Sequence, residues 1–151
     1  MNELNFFIPG RARPKGSPRV ITRSASGKYL DRPKVITDTP KSSRWQKATM
    51  AMAHRNISDE WNNESYYEVV LDFRFSRPGH HGVDDHPYPG HSFGDVDKLI
   101  RSTMDGIEAS GAISDDTRVA WVLGSKSWTE DGGNEGCSVR ITDLLTGGHF
   151  G

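Results

Sequence analysis

Two pairs of aspartates, Asp95/Asp97 and Asp115/Asp116, bracket one stretch of the chain, GDVDKLIRSTMDGIEASGAISDDTRV at residues 94–119. Carboxylates gathered from two separate segments, with no matching set of cysteines or histidines, suit a hard divalent cation such as Mg²⁺ or Mn²⁺. A cation held in that way serves phosphoryl transfer on nucleic acid. Taken singly, each pair also has a plainer reading, since aspartate caps helix starts and a Ser-Asp-Asp run makes turns. Their joint placement about one segment, with Lys98 and Arg101 between them, points to a site.

The element that must position these groups is a helix over residues 96–109. There Val96, Leu99, Ile100, Thr103, Met104 and Ile107 fall on one stripe, and Asp97, Arg101, Asp105 and Glu108 on another. Gly94 and Asp95 supply a start, with Asp95 as a cap, and Gly111 supplies a stop. Two residues apart on a helix means about 200° of rotation. Asp95 is therefore expected just before the helix and Asp97 in its first turn, where the two carboxylates can converge.

These residues also carry a family resemblance. GDVDKLIRSTMDGI followed by SDDTRV resembles the RusA family of Holliday-junction resolvases, with its D-x-D-[NK]-L pattern, a basic residue in the next turn, a D-A/G-L/I element and then DD-x-x-V. The opening FFIPGRARPKGSPRV is similar to that family's usual start, and the likeness covers most of residues 4–143. It implies that Asp95, Asp97 and Asp116 are the essential acids and metal ligands, with Asp115 a supporting neighbour. Arg101 stands where the best-known members carry a catalytic Lys, and Lys98 stands where Asn is frequent. The exchange keeps the positive charge and adds a bidentate grip on phosphate. The resemblance further implies Mg²⁺ as cofactor with Mn²⁺ able to substitute, a homodimer with two sites, and branched DNA as partner. A phage or prophage role in processing such DNA follows from it too.

Charge is divided along the chain in a way that fits. Residues 11–47 hold eleven Lys and Arg against Asp31 and Asp38, whereas from residue 48 onward eight basic residues face seventeen acidic ones. A basic arm collects phosphate backbone while an acidic centre holds the cation. The arm, residues 10–38, offers Arg11, Arg13, Lys15 and Arg19 as DNA contacts, and VITR and KYLD around SASG form a short hairpin within it. Lys126 resembles a basic position of the family that faces the site.

With 151 residues there is material for one domain, read here as residues 1–144 with a flexible tail at 145–151. A hydrophobic share of 34% gives a modest core, so long polar loops or a second subunit must complete it. Cys137 excludes an intramolecular disulfide by being the single cysteine, and reads as a small buried strand residue. No apolar run is long enough to span a membrane and no signal peptide is evident, so the expected compartment is the cytoplasm, that of the bacterial host for a phage protein.

The remaining elements follow in order. LNFFIP (4–9) reads as a strand packed centrally. Thr39 and Pro40 open a helix through residue 56, with Trp45, Ala48, Thr49 and Met52 toward the core and Lys41, Arg44 and Lys47 on a basic face. Residues 66–76 alternate cleanly as a strand with Tyr67, Val69, Leu71, Phe73 and Phe75 buried. The stretch 77–94 carries His80, His81, His86 and His91 without zinc spacing, and reads as an irregular loop near the site. Residues 119–128 form a strand with 137–144 as its partner across a turn. The sum is an α+β domain, a small mixed sheet with two helices against it. The function expected is a Mg²⁺-dependent endodeoxyribonuclease that nicks Holliday junctions symmetrically in recombination and repair. A non-catalytic structure-specific DNA-binding protein and a metal-binding regulatory protein are the alternatives from other classes.

Overall fold

The computed structural model describes residues 2–17, 19–36, 38–79, 87–130 and 132–145. His80, His81 and His86 of the histidine-rich stretch and the tail beyond Leu145 lie outside them. The order is β1 (Glu3–Pro9), β2 (Arg19–Arg23), β3 (Tyr29–Ile36), α1 (Pro40–Asn56), β4 (Tyr67–Phe75), α2 (Val96–Ser110), β5 (Val119–Trp128) and β6 (Gly136–Asp143). The main sheet runs β1-β6-β4-β5, and β2-β3 form a separate two-stranded ribbon. This is a mixed sheet with two helices, an α+β fold. Among the described residues no helix is long and apolar enough to cross a membrane.

The strict alternation of β4 makes it the middle of the sheet. Tyr67, Val69, Leu71, Phe73 and Phe75 are all fully buried, while the strand pairs antiparallel with β6 on one side and parallel with β5 on the other. A parallel pair needs a crossover, and α2 supplies it. The core between sheet and helices takes Leu4, Phe6 and Ile8 from β1, Val139 and Ile141 from β6, Leu99 and Ile107 from α2, and Trp45 and Ala53 from α1. Cys137 is buried within β6, and burial pushes its thiol well above the ordinary range.

Two expectations about strand order are corrected. β1 lies at an edge rather than the centre, paired only with β6. Its alternate residues Leu4, Phe6 and Ile8 face the helices, and that one-sided burial satisfies the apolar run without a second strand neighbour. β6 does not partner β5, because β4 lies between them. The loop after β5 crosses the end of β4, where the Thr129 N–H donates to the Phe75 carbonyl at 2.8 Å. Strands two places apart stand about 9.5 Å from each other, a gap that so long a connection bridges easily.

Both helix starts follow their sequence signals. Thr39 and Ser42 form a reciprocal capping box ahead of α1, with Pro40 in the first turn. Trp45 is core, and its indole N–H donates to Thr103 Oγ1 of α2 at 2.9 Å. α2 buries more of its circumference than one stripe, because Ser102, Gly106 and Ser110 are buried as well. These small residues let α1 come close. A Cβ on Gly106 would stand 2.6 Å from Thr49 Cβ and 2.7 Å from the Gln46 carbonyl oxygen.

That close approach gives a test. Gly106→Ala gains about 1 kcal/mol of helix propensity but loses about 1–3 kcal/mol to overpacking against a backbone that cannot retreat. The loss dominates, so the urea midpoint followed by tryptophan fluorescence falls; a midpoint at or above wild type would contradict the close helix pair.

Candidate active site

The two ends of α2 carry the two aspartate pairs. Asp95 occupies the N-cap position with extended backbone, and Asp97 lies in the first turn. The structure departs from expectation in one respect: Asp95 makes no side-chain cap hydrogen bond. Its carboxylate stays exposed, with Lys98 Nζ 3.9 Å away. Asp97 is exposed too, and neither its side chain nor that of Arg101 has an ion pair or hydrogen bond among the described residues. The bland explanation, that Asp95 is there to cap, therefore does not account for this residue.

What precedes Asp95 is held firmly. Phe93 packs against Phe75 and edge-on against Trp128, with ring centroids 5.1 and 5.3 Å apart. Gly94 has φ +100° and is buried, and a Cβ there would meet the Pro14 ring at 2.8 Å. Only glycine suits both the left-handed backbone and the close approach. Lys126, on β5, donates to the Gly94 carbonyl at 2.9 Å. The family likeness placed Lys126 near the site, and in the structure its ammonium touches the residue beside Asp95.

At the far end, the turn between α2 and β5 is pinned by buried Ala112 and Ile113 and by Trp61, whose indole N–H donates to the Ala112 carbonyl at 2.7 Å. Arg118 donates to the Glu64 carbonyl at 2.9 Å. Asp115 accepts from the Thr117 N–H at 2.8 Å, and that backbone bond holds its carboxyl below the usual range. Asp115 thus caps the short 3-10 turn Asp116–Arg118, while Asp116 lines an open cavity of about 420 Å³ with Lys15, Arg101, Asp105 and Trp121.

One acid escaped the sequence reading as a neighbour of this group. Desolvation, followed by the charges of Asp116, Asp115 and Asp105, raises the Glu108 carboxyl above the ordinary range. Its place on the charged stripe of α2, one turn past Asp105, was the available signal.

The basic arm begins as a strap rather than a loose loop. Ser102 Oγ donates to the Arg13 carbonyl at 2.5 Å, and the Lys15 N–H donates to the Lys98 carbonyl at 3.0 Å. Lys15 Nζ meets Asp105 at 2.5 Å with its side chain only 17% exposed, so its charge is spent on α2. Arg11 is paired with Glu135 at 2.9 Å and lies over the Phe93 ring. Arg19 opens β2 on the exposed ribbon, and Arg13 has no polar side-chain partner among the described residues.

The three expected metal ligands are not gathered within one chain. Among the described residues no three carboxylates or imidazoles stand close enough to hold one ion. Asp97 and Glu108 are eleven residues apart on α2, about 16 Å along its axis, and Asp116 sits at the Glu108 end. Arg101 links the two ends, one turn past Asp97 and in the cavity with Asp116.

No curated protein matches the chain. The family model for endodeoxyribonuclease RusA matches residues 9–142, from the end of β1 through β6 and across both aspartate pairs. The chain belongs to the RusA family of endodeoxyribonucleases.

Proposed function

We propose that the protein resolves four-way DNA junctions by paired symmetric phosphodiester hydrolysis during recombination and repair in the host cytoplasm, as a homodimer with Mg²⁺ or Mn²⁺ held by Asp95, Asp97 and Asp116. The observation that carries this reading is the uncapped Asp95 carboxylate beside Asp97, whose side chain has no partner among the described residues. An oxygen-only donor set fits Mg²⁺, which takes one or two carboxylates and leaves its other positions to water and substrate phosphate. When bound, the ion supplies an acidified water and neutralises charge on the phosphate. Arg101 and Lys98 present their cations from the same face, where charge grows on the non-bridging oxygens in the transition state. Arg101 offers two parallel donors to those oxygens.

A second copy explains how Asp116 reaches the pair at the other end of α2. β5 is an edge strand ten residues long, with Trp121 and Leu123 exposed. Such an edge is a template for pairing with another chain. Two β5 edges paired antiparallel about a two-fold axis would set the start of one, next to Asp116, beside the end of the other, where Lys126 holds the Gly94 carbonyl ahead of Asp95. Each site then takes Asp95 and Asp97 from one protomer and Asp116 from its partner. A four-way junction shares the two-fold symmetry of such a dimer.

Asp97→Asn is expected to lower junction cleavage by at least about 1000-fold, the order of removing one charged group that stabilises the transition state, and chelation of the metal to do the same, with binding retained in a mobility-shift assay. A wild-type protein that binds junctions and cuts none would leave a binding module instead. Mixing Asp97→Asn with Asp116→Asn subunits separates the two site geometries. Shared sites regain cutting, because one site of each mixed dimer keeps every ligand, whereas sites built within one chain stay dead.

Glu108 gives a pH test of the crowded acids. Its carboxyl titrates above the ordinary range, so its ionised form weighs against the folded state once pH exceeds that range. Glu108→Gln is expected to raise the metal-free melting temperature at pH 7, and the gain to shrink as falling pH returns the proton to wild-type Glu108. A gain independent of pH would count against this crowding.

A further inference from the structure

We propose that a second cleft, on the α1 side of the strap, binds the DNA backbone at a phosphate other than the one being cut. It rests on the junction-cutting function above and adds Lys41 and Arg44 to the residues that hold the substrate. The cleft, of about 280 Å³, lies between the chain leaving β1 and the first turns of α1, and is lined by Arg11, Arg13, Lys41, Arg44, Trp45 and Ala48 with Pro9 and Gly10. Among the described residues no carboxylate lines it.

Three of the four cations lining this cleft are unpaired among the described residues. Arg11 is held by Glu135, but Arg13, Lys41 and Arg44 have no ion pair or side-chain hydrogen bond among the described residues. The first turn of α1 contains no acid, so Lys41 and Arg44 face the positive end of the helix dipole uncompensated, an arrangement that an anion relieves. Three cations around one small concavity match the non-bridging oxygens of a phosphodiester. The apolar floor matches the adjoining sugar. Trp45 cannot swing away from that floor, because its indole N–H is committed to Thr103.

Position decides which phosphate is bound. The strap carries Arg13 into this cleft and Lys15, two residues later, into the cavity of Arg101 and Asp116. Its backbone is fixed between them by Ser102 and Lys98. DNA in the α1 cleft is therefore held at a constant offset from the catalytic groups. Contacts of this kind set register and read no bases, so the ligand is the backbone of the duplex arm flanking the cut.

The test uses the double variant Lys41→Ala/Arg44→Ala with Lys47→Ala as control. Lys47 removes one charge from the same helix outside the cleft, and all three residues are exposed. Dissociation constants for a labelled four-way junction are measured across a salt series. The double variant is expected to bind at least about tenfold more weakly at 0.1 M salt, and its slope of log affinity against log salt to fall by about two, near 0.9 for each phosphate no longer neutralised. Lys47→Ala binds as wild type. Unchanged affinity and slope in the double variant overturn the cleft, as does an equal loss per charge in Lys47→Ala, which would mean bulk charge alone. If the wild type cuts junctions and the double variant binds as tightly, only the cleft falls. If the wild type neither binds nor cuts, the functional reading falls and the cleft with it.

Discussion

The seat of residues 12–17 on α2 is the constraint on which the rest depends. A run of Arg, Pro, Lys and Gly has no reason of its own to adopt one shape, and in isolation it would sample many. Here Ala12 is buried, Pro14 lies against Gly94, and Lys15 is tied to α2 by both its backbone and its ammonium. The helix that receives the strap also carries Asp97 and Arg101, with Asp95 at its N-cap position. One rigid element therefore fixes the basic and acidic parts of the molecule relative to each other. The Lys15 ion pair with Asp105 is partly buried, a setting where orientation is gained and net stability is small.

The same arrangement explains why α2 needs small residues. To carry a strap on one side, a strand on another and α1 on a third, the helix must be approached closely from several directions. Ser102, Gly106 and Ser110 supply that room, and Ser102 serves twice by donating to Arg13. Gly124 does the equivalent on β5, since a Cβ there would lie 2.6 Å from Ile100. Little of the helix surface is then left for charge. Its acids share what remains, and at Glu108 desolvation first and the neighbouring acids second raise the carboxyl.

Local structure was legible where one neighbour decides it. Thr39-Pro40 announces a helix because capping is settled within three residues, and β4 announces itself because alternation is a property of one strand. Strand order was not legible. Alternation tells which side of a strand is buried and says nothing of who lies beside it, so β1 read as central and β5 with β6 as a hairpin. Both pairings are fixed by residues distant in sequence. The site divides along the same line. Both aspartate pairs and Arg101 could be read from spacing, whereas the cleft joins Arg13 to Lys41 and Arg44 across the whole β2-β3 ribbon. Nor could spacing show that α2 holds its two acid groups apart.

That separation gives Arg101 its importance. Acidic groups at the two ends of one helix face an open cavity, and an exposed cation between them offsets their repulsion. Arg101 stands there, one turn past Asp97 and facing the same space as Asp116. A lysine in this place offers a compact charge for one oxygen. The guanidinium is longer, stays charged at every accessible pH and presents donors along two edges. It can therefore face a phosphate while still lying close to a carboxylate. In a chain whose own carboxylates do not meet, the wider reach of arginine suits the position better than a point charge would.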